Sequence, residues 1–324
     1  MEIQPCCSVN DEIDFVSSDV HQNCACSSAF ATDRKIRDYQ VYRSRYEFVS
    51  DADDGTNTIE ERDNSIDKAE VEIDPDGDLS VRRRPKKTKL IFTIEHCTAT
   101  RLAHVGLQVW PGALLMADYV IANGAFVRKN TVVVELGAGN GLLSIVTASC
   151  IPADVWATDN DESSLELLRR NVALNQDTLK GRIHVQHVDW SAKADNAFGV
   201  AASSEFLDNL CRCDFVLAAD VIYDRSATNA LFHLIANIGR MNPSVVVLLT
   251  VEQRWNYCAT TQAPVCSAYN DFTDRLDELC APDGADGWRA EQIDWDTFGQ
   301  ACVRYERSAF MELWKMTKRR IVAV

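Results

Sequence analysis

Three alternating glycines stand where a predicted strand gives way to a predicted helix: Gly137, Gly139 and Gly141. Glycine lets the backbone turn sharply and approach a ligand closely. A dinucleotide-binding turn would carry its third glycine at position 142, which is Leu142. The acidic Glu135, two residues before the first glycine, suits a cationic ligand bearing an amino acid better than a diphosphate. A tight turn without any ligand is the alternative for the glycines alone.

Acidic residues also end the next two predicted strands. Asp159 closes the strand DVWATD, where a carboxylate can accept hydrogen bonds from both hydroxyls of a ribose. Asp189 and Trp190 end the third strand, where they would offer an acceptor to an exocyclic adenine amine and an aromatic face to its ring. A turn followed by a core aromatic residue would give the same pair. Because carboxyl ends of parallel strands meet at one edge of a sheet, the three residues together favour a ligand site.

The fourth predicted strand ends in AADVIYD at positions 218–224. It places small residues, Ala219 among them, and then the carboxylate of Asp220 at the switch point, where open α/β sheets bind their ligands. We therefore expect the chemistry to occur at this stretch. An exposed loop after a buried strand is the alternative, above all for Tyr223.

The elements that must position these residues alternate from residue 90 onward. There are five strand-like runs, TVVVEL, DVWATD, RIHVQHVDW, DFVLAADVIY and SVVVLLTV, with helical patterns after the first, second and fourth. Two further strand-like runs, WRAEQIDWD and FMELWKMTK, close the chain without a clear helix between them. Strands that alternate with helices indicate a parallel sheet covered on both faces. We predict a doubly wound α/β fold, with a mostly parallel seven-strand, Rossmann-like sheet that ends in a C-terminal antiparallel hairpin.

The N-terminal quarter differs in charge from the rest. The net charge is −15, and residues 1–80 hold 20 acidic and 7 basic side chains. Stretches such as SDADDGTNTIEERDNS cannot bury enough apolar surface to offset the entropy lost on ordering. We expect residues 1–80 to form an acidic, mostly disordered arm, 81–89 a basic linker and 90–324 the ordered domain. The nearly neutral remainder argues against direct nucleic-acid binding, because it offers no general footprint for a phosphate backbone.

The linker and the cysteines bear on location. The run RRRPKKTK at 82–89 is either a nuclear-localisation patch or a solvated linker that pairs with the acidic arm. The N-terminal sequence does not have the pattern of a signal peptide, and the apolar runs are far shorter than the roughly 20 residues that span a bilayer. We therefore expect a soluble protein without a membrane partner, nuclear or cytoplasmic, and monomeric. Reduced thiols are expected too, including four in the arm: Cys6, Cys7, Cys24 and Cys26.

Together these motifs resemble the class I S-adenosylmethionine-dependent methyltransferases and, within them, the lysine methyltransferase group called family 16. The resemblance covers residues 90–318. Its motifs are IEHCTATRLAHVGLQVWPGALLMADYV, VVVELGAGNGLLSI, ATDND, VDW, AADVIYD, VEQR and RYERSAFMELWKM. It implies that S-adenosylmethionine donates a methyl group to the ε-amine of a lysine in a protein substrate.

The resemblance also implies which residues form the site. Those that would contact the cofactor are Trp110, Glu135, Gly137, Ala138, Gly139, Gly141, Asp159, Asp189, Trp190 and Ala219. The glycine turn would hold the methionine part, the carboxylate after the second strand the ribose, and the pair after the third strand the adenine. The tryptophan that precedes the first helix would cover the cofactor. Asp220 and Tyr223 match the DxxY motif that borders the target-lysine channel in the family.

Three alternatives stay open. The methyl acceptor could be a nucleic acid or a small molecule, although the Asn-Pro-Pro-aromatic motif of amide and exocyclic-amine methyltransferases is absent after the fourth strand. The domain could be a non-catalytic scaffold that binds the cofactor. A nicotinamide dehydrogenase is a further alternative, which the GxGxG spacing fits poorly. No metal is predicted, because the histidines lack metal-ligand spacing, and Glu252 and Arg254 either border the substrate channel or pair with each other.

Overall fold

The computed structural model describes residues 15–22, 29–50, 71–73, 79–81, 88–124, 130–258, 262–281 and 287–318. Its strands are β1 Phe15–Val16, β2 Phe30–Ile36, β3 Tyr39–Ser50, β4 Val71–Ile73, β5 Leu79–Val81, β6 Thr88–His96, β7 Thr100–Arg101, β8 Val132–Leu136, β9 Asp154–Asp159, β10 Arg182–His187, β11 Asp189–Lys193, β12 Val200–Ala201, β13 Phe215–Ala219, β14 Val246–Glu252, β15 Asn256–Cys258, β16 Ala263–Val265, β17 Trp288–Ile293 and β18 Met311–Lys318. Its α-helices are α1 Asp19–Gln22, α2 Pro111–Asn123, α3 Leu142–Cys150, α4 Glu162–Leu174, α5 Ser204–Leu210, α6 Arg225–Met241 and α7 Ser267–Cys280. Short 3-10 segments cover Leu102–Leu107, Gln176–Thr178 and Trp295–Thr297.

Seven strands form the central sheet in the order β10, β9, β8, β13, β14, β18, β17. The first five are parallel, β18 is antiparallel to β14, and β17 pairs antiparallel with β18. The predicted seven-strand sheet with its C-terminal antiparallel pair is therefore confirmed. The chain changes direction across the sheet between β8 and β13, and a crevice for a ligand opens there, at the carboxyl ends of the strands.

Helices cover both faces of this sheet. The strand β8 is buried along its whole length, and its side chains alternate between two core clusters. Val132, Val134 and Leu136 join the cluster that includes residues of α6 and α7, whereas Val133 joins the cluster that includes residues of α2 and α3. A strand buried on both faces reads as a continuous apolar run, which explains the sequence VVVEL.

Helix α2 follows residues 102–110 and packs against the central sheet. Pro111 occupies its first turn, where a missing N–H sacrifices no helical hydrogen bond. By length and composition alone the stretch Leu102–Asn123 could cross a membrane, but most of it is buried inside the fold. Its α-helical part has 13 residues and is about 20 Å long, short of a hydrocarbon core of about 30 Å. This is the core helix of a folded domain.

The prediction of a disordered arm is wrong for residues 15–22, 71–73 and 79–80, which contain short strands and a helix, and above all for residues 29–50. There β2 and β3 form a hairpin, and β3 pairs antiparallel with β6 from Tyr42–His96 to Ser50–Thr88. Phe48 is fully buried, and its ring packs edge-on against Phe92 with 5.7 Å between centroids. The hairpin therefore completes part of the core. Residues 1–14, 23–28, 51–70, 74–78 and the basic run 82–87 lie outside the described part, and the predictions made for them stay predictions.

One cysteine departs from expectation. Among the described cysteines, the buried Cys258 is disulfide-bonded. The expectation of reduced thiols throughout is therefore wrong at Cys258. The four cysteines of the arm, at positions 6, 7, 24 and 26, lie outside the described residues.

Candidate functional site

A cavity of about 370 Å³ opens at the carboxyl ends of β8, β9 and β13. Its volume lies within the roughly 300–1,000 Å³ typical of small-molecule sites. Most of the predicted site residues line it: Trp110, Glu135, Gly137, Ala138, Gly139, Asp159, Asp189, Trp190, Ala219, Asp220 and Tyr223. The fold thus brings together residues that are up to 113 positions apart in the chain.

Gly141 is the exception among the predicted site residues. All three glycines of the turn have positive φ, at 73° for Gly137, 53° for Gly139 and 84° for Gly141. A Cβ atom on Gly141 would lie 2.6 Å from Cγ of Leu168 on α4. Gly141 therefore serves the packing of α3 against α4 and does not line the cavity, which corrects its predicted role.

The turn is clamped by residues that sequence reasoning missed. A Cβ atom on Gly139 would lie 2.6 Å from the carbonyl oxygen of Gly106, so the segment before α2 touches the turn backbone to backbone. The Asn140 side chain donates a hydrogen bond of 2.8 Å to the carbonyl of Gln108. For Asn140, the signal in the sequence was a polar residue placed between two glycines. For Gly106, it was a glycine within the mostly apolar segment LAHVGLQVW.

Two buried carboxylates face the cavity beside the turn. Glu135 accepts a short hydrogen bond from the Ser144 hydroxyl, and burial raises its pKa to about 8. Asp159 accepts hydrogen bonds of 2.9 Å from the backbone N–H groups of Gly139 and Asp161, and burial likewise raises its pKa. Within the described part of the chain, neither carboxylate pairs with a cation. A carboxylate has about four lone-pair sites, so Asp159 can still accept bonds from a ligand.

The third-strand pair lies on the same side. The Oδ1 atom of Asp189 accepts hydrogen bonds from the backbone N–H of Ser191, at 2.8 Å, and from its hydroxyl, at 2.5 Å. The Trp190 ring lies against the glycine turn, since its Cη2 atom would be 3.3 Å from a Cβ on Gly137. The predicted strand through residues 182–190 is interrupted at Val188, where β10 ends and β11 begins. This break lets Asp189 and Trp190 turn towards the cavity.

On the other side of the cavity, Asp220 is held in an ion-pair network. Its backbone φ is 60°, a left-handed conformation that aspartate tolerates better than most residues. Its side chain is 2% exposed, and Oδ2 accepts a 2.6 Å bond from Arg254. Arg254 also pairs with Glu252 at 2.9 Å. Burial opposes the charge of Arg254, but these two carboxylates raise its pKa above the ordinary value, so it remains a cation.

Trp110 and Tyr223 frame this network. The Trp110 indole N–H donates to the carbonyl of Val105 at 2.9 Å, and the Arg254 guanidinium lies 4.8 Å from the ring centroid. Tyr223 is 43% exposed at the cavity rim. Burial of part of its ring, with smaller effects of nearby carboxylates such as Asp159, raises its pKa to about 12. Glu252 and Arg254 pair with each other, which was one of the two alternatives, and Arg254 lines the cavity whereas Glu252 is not among its lining residues.

Comparison with known proteins agrees with this geometry. Residues 87–262 match the family model described as lysine methyltransferase. Methyltransferase-like protein 22 of Mus musculus is 33% identical over 302 residues, which cover 78% of this chain and 75% of the relative. Its Homo sapiens counterpart is 33% identical over 291 residues, covering 76% and 71%. Protein-lysine N-methyltransferase EEF2KMT of Homo sapiens is 32% identical over 161 residues, covering 45% and 46%. The chain belongs to the lysine methyltransferase family.

Proposed function

We propose that this protein transfers a methyl group from S-adenosylmethionine to the ε-amine of a lysine in a protein substrate. The observation that carries the proposal is the pair of buried carboxylates, Glu135 and Asp159, that face the cavity without a cationic partner among the described residues. Buried charges are costly unless they are paired. A ligand that is cationic and carries a ribose would offset that cost, and S-adenosylmethionine has both an ammonium and a sulfonium group.

The residues that line the cavity fit this cofactor. Gly137 and Gly139 line the cavity, where they would hold its methionine part, with Glu135 beside the ammonium group. Asp159 would accept hydrogen bonds from the ribose, and the pair that begins β11 would hold the adenine. When bound, S-adenosylmethionine supplies an electrophilic methyl group whose bond to sulfur breaks as the amine attacks.

The DxxY residues orient the lysine. A free lysine has a pKa near 10.4, so its amine must lose a proton, to water, before it can attack. Arg254 occupies Oδ2 of Asp220, which fixes the carboxylate and leaves Oδ1 to accept a hydrogen bond from the amine. Tyr223 keeps its proton at neutral pH, because its pKa is about 12, and acts as a hydrogen-bonding group at the rim. Orientation of the amine by these two residues supplies much of the rate acceleration.

The function is tested with tritiated S-adenosylmethionine and a lysate of cells that lack this protein, followed by mass spectrometry of the labelled residues. Label on lysine is expected, and label only on arginine or RNA would overturn the proposal. Asp220→Asn and Tyr223→Phe should each lower labelling by about a hundredfold with unchanged cofactor affinity. Asp277→Asn on α7 and Tyr257→Phe on β15 make the same chemical changes at exposed positions and should label normally. Normal labelling by both DxxY variants would remove them from the catalytic site.

The proposal extends to location and assembly. The basic run 82–87 supports localisation of the protein to the nucleus. The protein is expected to act on its substrate as a monomer. Replacement of the six basic residues of 82–89 should shift a fluorescent fusion towards the cytoplasm. An unchanged distribution would remove this role from the basic run.

A further inference from the structure

The segment Phe15–Gln22, the N-terminal strap, is attached to residues 100–108, several of which line the cavity. Its β1 part pairs with β7, with Val16 opposite Thr100. The Gln108 side chain then fastens it twice, because Oε1 accepts the Ser18 N–H at 2.9 Å and Nε2 donates to the Val16 carbonyl at 3.0 Å. Gln108 is 3% exposed, and its own carbonyl holds Asn140 of the glycine turn. The buried Gln108 therefore contacts both the strap and the glycine turn.

Some residues of the strap are buried in the fold and others line the cavity. Ser18 and Val20 are buried, and Val20 belongs to the core cluster that includes residues of α2. Val16, Ser17 and Asp19 line the cavity. The strap is therefore part of the cavity wall, and Asp19 contributes an exposed carboxylate to it.

The charges around the acceptor side are unbalanced. The cavity wall here includes the carboxylates of Asp19 and Asp220 and the guanidinium of Arg254, and Glu252 lies beside Arg254. Asp220 and Glu252 share that guanidinium, whereas Asp19 is exposed and makes no ion pair within the described residues. Burial raises the pKa of Glu252, Arg254 lowers it, and the carboxylates of Asp220 and Asp19 act in the same direction as burial, which agrees with the position of Asp19 in the cavity wall.

Resting on the proposed function, we propose that the N-terminal strap forms one wall of the acceptor channel and that Asp19 is a specificity-determining residue. Asp19 binds the protonated ammonium of the incoming lysine at the hydrated rim, before the amine reaches Asp220. A rim carboxylate stabilises the charged form of lysine, so it favours capture of the side chain and not its reaction. The substrate class that this arrangement selects is a cationic side chain on an exposed protein segment.

The test uses the full chain with total protein from the same lysate as acceptor. Asp19→Asn should lower the initial rate at limiting acceptor by about threefold to tenfold, the range for one partly hydrated charge pair. The rate at saturating acceptor, the affinity for S-adenosylmethionine and the thermal midpoint should stay unchanged. Asp19→Glu should restore most of the rate at limiting acceptor, and added salt should reduce the difference between wild type and Asp19→Asn. Asp33→Asn, an exposed aspartate on β2, is the matched control.

The outcomes separate this inference from the function on which it rests. If the wild-type protein labels no lysine, the proposed function is refuted. Lysine labelling by the wild type with equal rates for Asp19→Asn at limiting acceptor would refute only the role of Asp19. A lower cofactor affinity or thermal midpoint in Asp19→Asn would also overturn it, since Asp19 would then act on the cofactor or on the fold.

Discussion

The hairpin of β2 and β3 and the strand-turn unit of β8 contrast in how their partners lie along the chain. The neighbours of β8 in the sheet are β9 and β13, and both belong to the run of alternating strands and helices, although β13 is further from β8 along the chain than β6 is from β3. The strand β3 instead pairs with β6, which follows after residues 51–70 and the short strands β4 and β5. Elements that belong to a repeating strand-helix pattern can be recognised from local patterns. No such repeat surrounds β3, because the stretch that separates it from β6 is polar and acidic. Composition averaged over 80 residues therefore hides a short ordered hairpin.

The largest expected effect tests whether the hairpin and the sheet unfold together. Phe48→Ala should lower the free energy of unfolding by about 3–5 kcal/mol, because it leaves a cavity beside Phe92 in the shared core. Chemical denaturation should show one cooperative transition, shifted as a whole. Phe30→Ala, on the same hairpin but 69% exposed, should cost less than about 0.5 kcal/mol. Two separate transitions in Phe48→Ala would instead make the hairpin an independent unit.

The second prediction concerns Asp159, at the end of β9 in the central sheet, and its effect on the affinity for S-adenosylmethionine. Asp159→Ala should weaken S-adenosylmethionine binding by about 1.5–3 kcal/mol, since it removes a charge-assisted acceptor and leaves the Gly139 N–H without its partner. Isothermal titration calorimetry measures the change. Asp154→Ala, at the other end of β9 where Asp154 pairs with exposed Arg182, should bind normally. Equal affinity in the Asp159 variant would take this residue out of the cofactor site.

The smallest effect concerns pH and Glu135. Its pKa is about 8 in the free protein, so a cation that prefers the ionised carboxylate must displace a proton at lower pH. Affinity for S-adenosylmethionine should rise by about tenfold between pH 6 and 7.5, with proton release detectable in buffers of different ionisation enthalpy. Glu135→Gln should flatten this dependence. A flat profile in the wild type would mean that the cation does not contact Glu135.

The raised pKa of Glu135 also determines how the free energy of unfolding depends on pH. Its pKa in the folded protein lies above the ordinary value of 4.5, so the folded state binds the extra proton between about pH 4.5 and 8. The contribution of Glu135 to the free energy of unfolding is therefore fully present below pH 4.5 and declines as pH rises to 8. Denaturation of the cofactor-free protein at several pH values checks this against Glu135→Gln.

The sequence predicted the sheet, its terminal antiparallel pair and most of the cavity wall, because those residues follow strands in regular order. It could not reveal Arg254 as the partner of Asp220, since that bond joins the ends of β13 and β14 across the sheet. It also missed the strap, whose single residues Ser18 and Val20 anchor a segment of acidic and polar composition. Gly141 fitted the glycine pattern but meets α4, and only its packing against Leu168 separates it from its neighbours.

The contact between Gly106 and Gly139 makes the two positions unequal in what substitutions they could ever accept. A Cβ atom on Gly106 would first meet the hydroxyl of Ser164, at 2.7 Å. A smaller residue at 164 could relieve that contact, so alanine at 106 is open to compensation. A Cβ atom on Gly139 would meet the Gly106 carbonyl, and its φ of 53° disfavours any side chain. No second substitution can remove a backbone oxygen, so a library built on this scaffold should vary position 106 together with 164 and leave 139 fixed.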